Sequence, residues 1–275
     1  MSKITMRILC LLVLILLALE GASAQRVQPA PSEQKPAATP ESTSPQLFAA
    51  LDQDEVDVEV VRKLLEQNPA LVNMKSEDGY TPLHIAAGRG QEEVIKLLLS
   101  MHADVNARNE KNLGRTPLHD AVSVGRTRSI ELLLSAKADV NAADTEENTA
   151  LHMVRSKADA ELLLANGGNI EAKNRGKRTP LLKAIGGTSP TEVVETLLRH
   201  NADVNARDIL GNTTLHLLTT APLASRQWIS DVAELLLANK GDLNAKNNEG
   251  QTPLMIAIKL KNKAAIELLR KHGAK

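Results

Sequence analysis

The chain has 275 residues, 43% of them apolar, which is enough for one or two domains with a real core, yet only 1% are aromatic. Such a core must be built from Leu, Ala, Val and Ile, which favours short packed helices over a β-sandwich or barrel. The formal net charge is zero, so no bulk basic field exists to hold nucleic acid or an anionic membrane.

In chain order, Lys3 and Arg7 precede an apolar run, Ile8 to Leu19, of about a dozen residues, where a spanning helix needs roughly 20. Ala22-Ser23-Ala24 supplies the small residues that signal peptidase reads, so residues 1–24 read as a signal peptide cut before Gln25. The mature chain is then expected in the periplasm, with secretion as the alternative, and without membrane attachment. Cys10, the single cysteine, leaves with the leader and has no lipobox before it. Packing alone must then stabilise the mature protein. Residues 25–45 carry Pro29, Pro31, Pro36, Pro40 and Pro45 among small and polar residues and read as a flexible linker.

From residue 46 to residue 275 the sequence repeats. Thr81-Pro82-Leu83-His84 recurs as Thr116-Pro117-Leu118-His119. Weaker copies stand at Thr149-Ala150-Leu151-His152, Thr179-Pro180-Leu181-Leu182, Thr213-Thr214-Leu215-His216 and Thr252-Pro253-Leu254-Met255. A second phrase follows the first five, as in Ala103-Asp104-Val105-Asn106 and Ala138-Asp139-Val140-Asn141, with leucine runs such as Leu97-Leu98-Leu99 between. The period is about 33 to 34 residues. Thr81 suits a helix N-cap and Pro82 the first helical position. Gly90 breaks this first helix, and Val94, Ile95, Leu97, Leu98 and Leu99 give the second an apolar face. One unit cannot bury these faces alone, so the units must stack.

This pattern resembles the ankyrin-repeat family across residues 46–275. The resemblance implies an all-α solenoid of helix-turn-helix units joined by hairpin-like loops, with about seven repeats. A divergent first unit is expected from Leu47-Phe48-Ala49-Ala50-Leu51 and from Val60, Val61, Leu64 and Leu65. In the last repeat Lys259, Lys261, Lys263, Arg270 and Lys271 are expected to make a polar cap. The Thr149 repeat is about three residues short near Ser156 to Asp159, and the Thr213 repeat about six residues long near Thr220 to Ser230. The loop from Arg108 to Leu113 runs about two residues over the consensus. The family usually has Gly where His102, Lys137, Asn201 and Lys240 stand, so these four are expected in left-handed backbone.

The recurring His84, His119, His152 and His216 read as the family's structural histidines, each tied to its own Thr and to the neighbouring loop. They stand about a stack spacing apart, too far to share one metal ion at ligand distances of about 2 Å. Asn106, Asn141, Asn205 and Asn244 read as turn residues. No Walker loop, Gly-x-Ser-x-Gly elbow, His-Glu-x-x-His motif or cysteine cluster occurs, so no catalytic residue, metal or cofactor is expected.

The family binds partners with its loop tips and the concave face of its first helices. Carried over, the partner-binding candidates are Tyr80, Arg89, Leu113, Arg115, Arg175, Lys177, Arg178, Ile209, Leu210 and Asn212. Three features stand out: apolar Ile209-Leu210 at a loop tip, positive charge at Arg175, Lys177 and Arg178 on the loop before it, and Tyr80 as an aromatic anchor. Trp228 reads as a plug in the Thr213-repeat insertion. The expected function is extracytoplasmic protein–protein binding by a monomer, with an acidic protein as the partner. A structural or protective accessory of an envelope complex is the alternative, and a hydrolase hidden in the repeats is a formal third. Asn212-Thr213-Thr214 is a glycosylation acceptor on the proposed binding face, which favours the periplasm.

Overall fold

The computed structural model describes residues 40–275 apart from 54, 188 and 222–224; the expected signal peptide and most of the expected linker lie outside these residues. The first unit pairs α1 (Pro40–Leu51) with α2 (Val58–Gln67). Then come α3 (Pro82–Arg89) with α4 (Glu92–Ser100), and α5 (Pro117–Val124) with α6 (Thr127–Ser135). In the Thr149 unit a 3-10 turn, Ala150–Met153, stands in for the first helix, ahead of α7 (Lys157–Ala165). The last three units are α8 (Pro180–Gly186) with α9 (Thr191–Arg199), α10 (Thr214–Thr220) with α11 (Arg226–Ala238), and α12 (Pro253–Lys259) with α13 (Lys263–Lys271). No strand occurs among the described residues.

Each Thr phrase starts a helix because its residues answer the free amides of a first turn. Thr81 has extended backbone, and its hydroxyl accepts from His84 N. His84 Nδ1 accepts from Thr81 N at 3.2 Å, so histidine takes the part that Glu or Gln plays in a capping box. Pro82 loses nothing at the first helical position, and Gly90, at φ 79°, turns the chain out of α3. The same reciprocal pair recurs at Thr116–His119, Thr149–His152 and Thr213–His216.

First helices pack against first helices and second against second along the stack, with the Ala150–Met153 turn holding its place in the row. Leu83, Ala86 and Ala87 of α3 and Leu118, Ala121 and Val122 of α5 are buried where the two helices meet. Alanine at this contact lets the backbones approach closely, which explains a core almost free of aromatics. Seven units stack in this way among the described residues.

Several departures from the sequence reading have physical causes. Residues 40–45, expected in the linker, lie in helix α1 (Pro40–Leu51), with Pro45 inside it. The missing residues of the Thr149 unit remove the second turn of its first helix, and Ser156 then caps α7 by accepting from Asp159 N. The insertion of the Thr213 unit is taken up in part by α11, which has 13 residues where α9 has 9. Trp228 lies in that added turn; its Nε1 donates to Ser189 O of the preceding repeat at 2.9 Å, as a plug should. In the last repeat Lys259, Lys261, Lys263, Arg270 and Lys271 are exposed as a polar cap requires, with apolar residues exposed beside them. Met255, in the histidine position, is 52% exposed, and Ile258 and Leu260 are also exposed.

The four expected left-handed residues are left-handed: φ is 64° at His102, 68° at Lys137, 65° at Asn201 and 67° at Lys240.

Candidate partner-binding surface

Two ladders of hydrogen bonds fix the loops that carry the candidate residues. On the first ladder, the Nε2 of His84, His119, His152 and His216 reaches the carbonyls of Arg115, Asn148, Arg178 and Gln251 in the next repeat at 3.0–3.1 Å. Since Nδ1 accepts from the threonine amide, Nε2 carries the proton and donates. All four rings are thus neutral bridges. Burial lowers every one of their pKa values, that of His84 to about 4, against the raising effect of the backbone bond.

The second ladder was not foreseen. Asn73, Asn106, Asn141 and Asn205 each accept, through Oδ1, from the backbone amide of the next repeat at 2.7–2.9 Å. Glu171 does the same to Asp203 N. The turn role belongs to the preceding aspartates: Asp104, Asp139 and Asp242 accept from the amide two residues on. The asparagines are cross-repeat staples.

The loop tips are joined as well. Leu113 O accepts from Thr145 N, Glu146 O from Arg175 N, Gly176 O from Ile209 N and Leu210 O from Asn248 N, at 2.7–3.0 Å. Tips expected to lie side by side are therefore bonded in one row. Gly211 permits the last of these contacts: its φ is 75°, and a Cβ there would meet Asn248 Oδ1 at 2.3 Å.

On this row the candidates separate. Ile209 and Leu210 are 55% and 59% exposed, and Leu113 is 42% exposed. They do not fold back over a neighbouring repeat. Lys177 is exposed and left-handed at φ 54°, and its side chain makes no hydrogen bond or ion pair. The basic cluster is otherwise partly neutralised. Arg175 pairs with Glu146 at 3.8 Å, and Arg178 faces the buried carboxylate of Asp208 at 3.6 Å. Asn212 is a staple: its backbone N–H donates to Asp208 Oδ1, while its side-chain Oδ1 accepts from Asn247 Nδ2. In the same sequon Thr214 is fully buried and donates to Val204 O. Tyr80 is half-buried, accepts from Asn112 Nδ2 through its hydroxyl, and meets His84 edge to face at 6.1 Å. Arg89 pairs with Asp52, and the Arg115 Nε is buried without a partner.

Among the described residues no group of His, Cys, Asp or Glu is arranged to hold a metal ion, and no helix is long and apolar enough to cross a membrane. A family model described as ankyrin repeats in three copies matches residues 47–144 and 137–208, and a single ankyrin repeat matches residues 249–275. The chain belongs to the ankyrin-repeat family. Its fold is similar to the ankyrin repeat domain of Bcl-3, a member of the IkappaB protein family. That match has a TM-score of 0.66 and 27% identity over 82% of this chain and 97% of the other. Two curated relatives share shorter or thinner likeness. The serine/threonine-protein kinase VIK of Arabidopsis thaliana is 43% identical over 33% of this chain and 20% of its own length. Neurogenic locus notch homolog protein 1 of Homo sapiens is 31% identical over 72% of this chain and 6% of its own. The chain thus spans a small part of the curated relatives it matches. Ankyrin repeats bind other proteins.

One residue that sequence reasoning passed over stands out on the face of the first helices. Asp120 follows the capping His119, where the other repeats have Ile85, Met153, Lys183, Leu217 and Ile256. Its Oδ2 is buried without a donor. Burial raises its pKa to about 7, with Arg115 opposing. The available signal was the single acidic residue in that register.

Proposed function

We propose that this ankyrin-repeat chain acts outside the cytoplasm as a protein-binding module, and that its partner docks on the tips of two neighbouring loops, the one with Arg175, Lys177 and Arg178 and the one with Ile209 and Leu210. The observation that carries the site is the rigid exposure of Ile209 and Leu210. Both are more than half exposed, yet the backbone on either side is bonded to the neighbouring loops through Gly176 and Asn248. Apolar surface held in place loses little freedom on binding, which is what an interface anchor requires. Lys177 and the still half-exposed Arg175 supply a polar rim that favours an acidic patch on the partner. Export rests on the charged start, the short apolar run and Ala22-Ser23-Ala24.

Two experiments test the reading. N-terminal sequencing of the native protein should begin at Gln25, and an intact Met1 contradicts export. In capture from envelope extract, Ile209→Asp with Leu210→Asp should abolish recovery of the partner. Because both side chains are exposed, that variant should stay within about 1 kcal/mol of wild type in stability. Full capture by the double variant places the site elsewhere.

A further inference from the structure

A second surface lies on the first helices of three successive repeats. Asp52, Tyr80, Ile85, Arg89, Asp120 and Val124 border a cavity of about 390 Å³. Its polar groups are unequally satisfied. Arg89 pairs with Asp52, and the Tyr80 hydroxyl is bonded to Asn112. The Asp120 carboxyl has no hydrogen bond or ion pair, and its Oδ2 is shut away from water. Such a carboxylate weakens the fold, since it gives up hydration and gains no donor. Val124 adds an unused apolar wall: it is 55% exposed, beside half-buried Ile85. A carboxylate without a donor next to an open aliphatic wall matches one kind of group, a cationic head on an apolar stem.

We propose that this cavity takes a lysine or arginine side chain from the protein partner, with the cationic head on Asp120 and the stem against Val124 and Ile85. The assignment rests on the reading of the chain as a binding module, but not on which loop tips are used. Charge complementarity with the one unpaired carboxyl of the cavity selects the occupant. An arginine or lysine head would bond the carboxyl from its open side, as a charge-assisted hydrogen bond.

The test uses the isotope-labelled full chain and two probes followed by amide chemical shifts. Nα-acetyl-arginine methylamide should give a saturable response centred on residues 85–89 and 120–124. Nα-acetyl-norleucine methylamide, with the stem but no charge, should bind at least fivefold more weakly. Asp120→Asn, which keeps the size of the side chain, should weaken the arginine probe at least fivefold, whereas Asp231→Asn at an exposed outer site should not. Val124→Ser, at an exposed position, should weaken both probes at least twofold and serves if Asp120→Asn fails to fold. No saturable arginine response, an equal norleucine response, or unchanged affinity in the Asp120 and Val124 variants overturns the assignment. The Ile209→Asp, Leu210→Asp variant keeps the two readings apart: it should bind the arginine probe like wild type whether or not it still captures the partner.

Discussion

His84, His119, His152 and His216 contrast with Ile209, Leu210, Lys177 and Asp120. The histidines recur at the repeat period, are buried, and bridge to the next repeat. The other four break the pattern of their register: Ile209 and Leu210 are exposed, and the side chains of Lys177 and Asp120 make no hydrogen bond or ion pair. In a solenoid, then, what repeats holds the stack, and what interrupts the repetition is left for something outside it.

Acidification should break the first group most severely. The fold keeps these imidazoles neutral, with pKa values below the ordinary 6.5 and near 4 at His84. Their contribution is fully present above pH 6.5 and is lost as the pH falls below it, for His84 through about 4. For His84 alone the loss is about 3 kcal/mol. Urea unfolding at pH 7 and pH 4.5 checks this, and equal stability at the two contradicts it. His119→Ala should cost about 3 kcal/mol at neutral pH, since it strands the Thr116 amide and the Asn148 carbonyl in a buried site.

Asp120 should behave in the opposite sense. Its pKa is raised from 3.8 to about 7, so the fold favours the neutral form and stability falls as pH rises through that window. Asp120→Asn should therefore stabilise by about 2 kcal/mol at pH 8 and by almost nothing at pH 3.5. A destabilising effect at pH 8 would show that the carboxylate has a partner after all. The smallest effects belong to the backbone. His102→Gly and Lys137→Gly relieve φ values of 64° and 68° and should each add about 1 kcal/mol, read as a rise in melting temperature.

The phrase Thr-Pro-Leu-His made the caps, the neutral histidines and the stacking legible in the sequence, because each is a local consequence of residue type. The left-handed residues were legible for the same reason. What escaped depends on neighbours a repeat away. Asn106 looks like a turn residue until Asp139 N is seen on its Oδ1. Arg175 and Arg178 look like free charge until Glu146 and Asp208 are placed beside them. Ile209 and Leu210 were legible as candidates because apolar residues at a tip have no local use. The cavity was not, since it takes Asp52, Ile85 and Val124 from three repeats.

Photo-crosslinking tests the central claim most directly. A benzophenone amino acid placed at Leu210 is compared with one at Val60 on α2; both side chains are large, apolar and exposed, at 59% and 44%. Binding at the loop tips predicts a covalent adduct with the partner from position 210 and none from position 60. An adduct from position 60 with none from 210 contradicts it and moves the interface to the second helices.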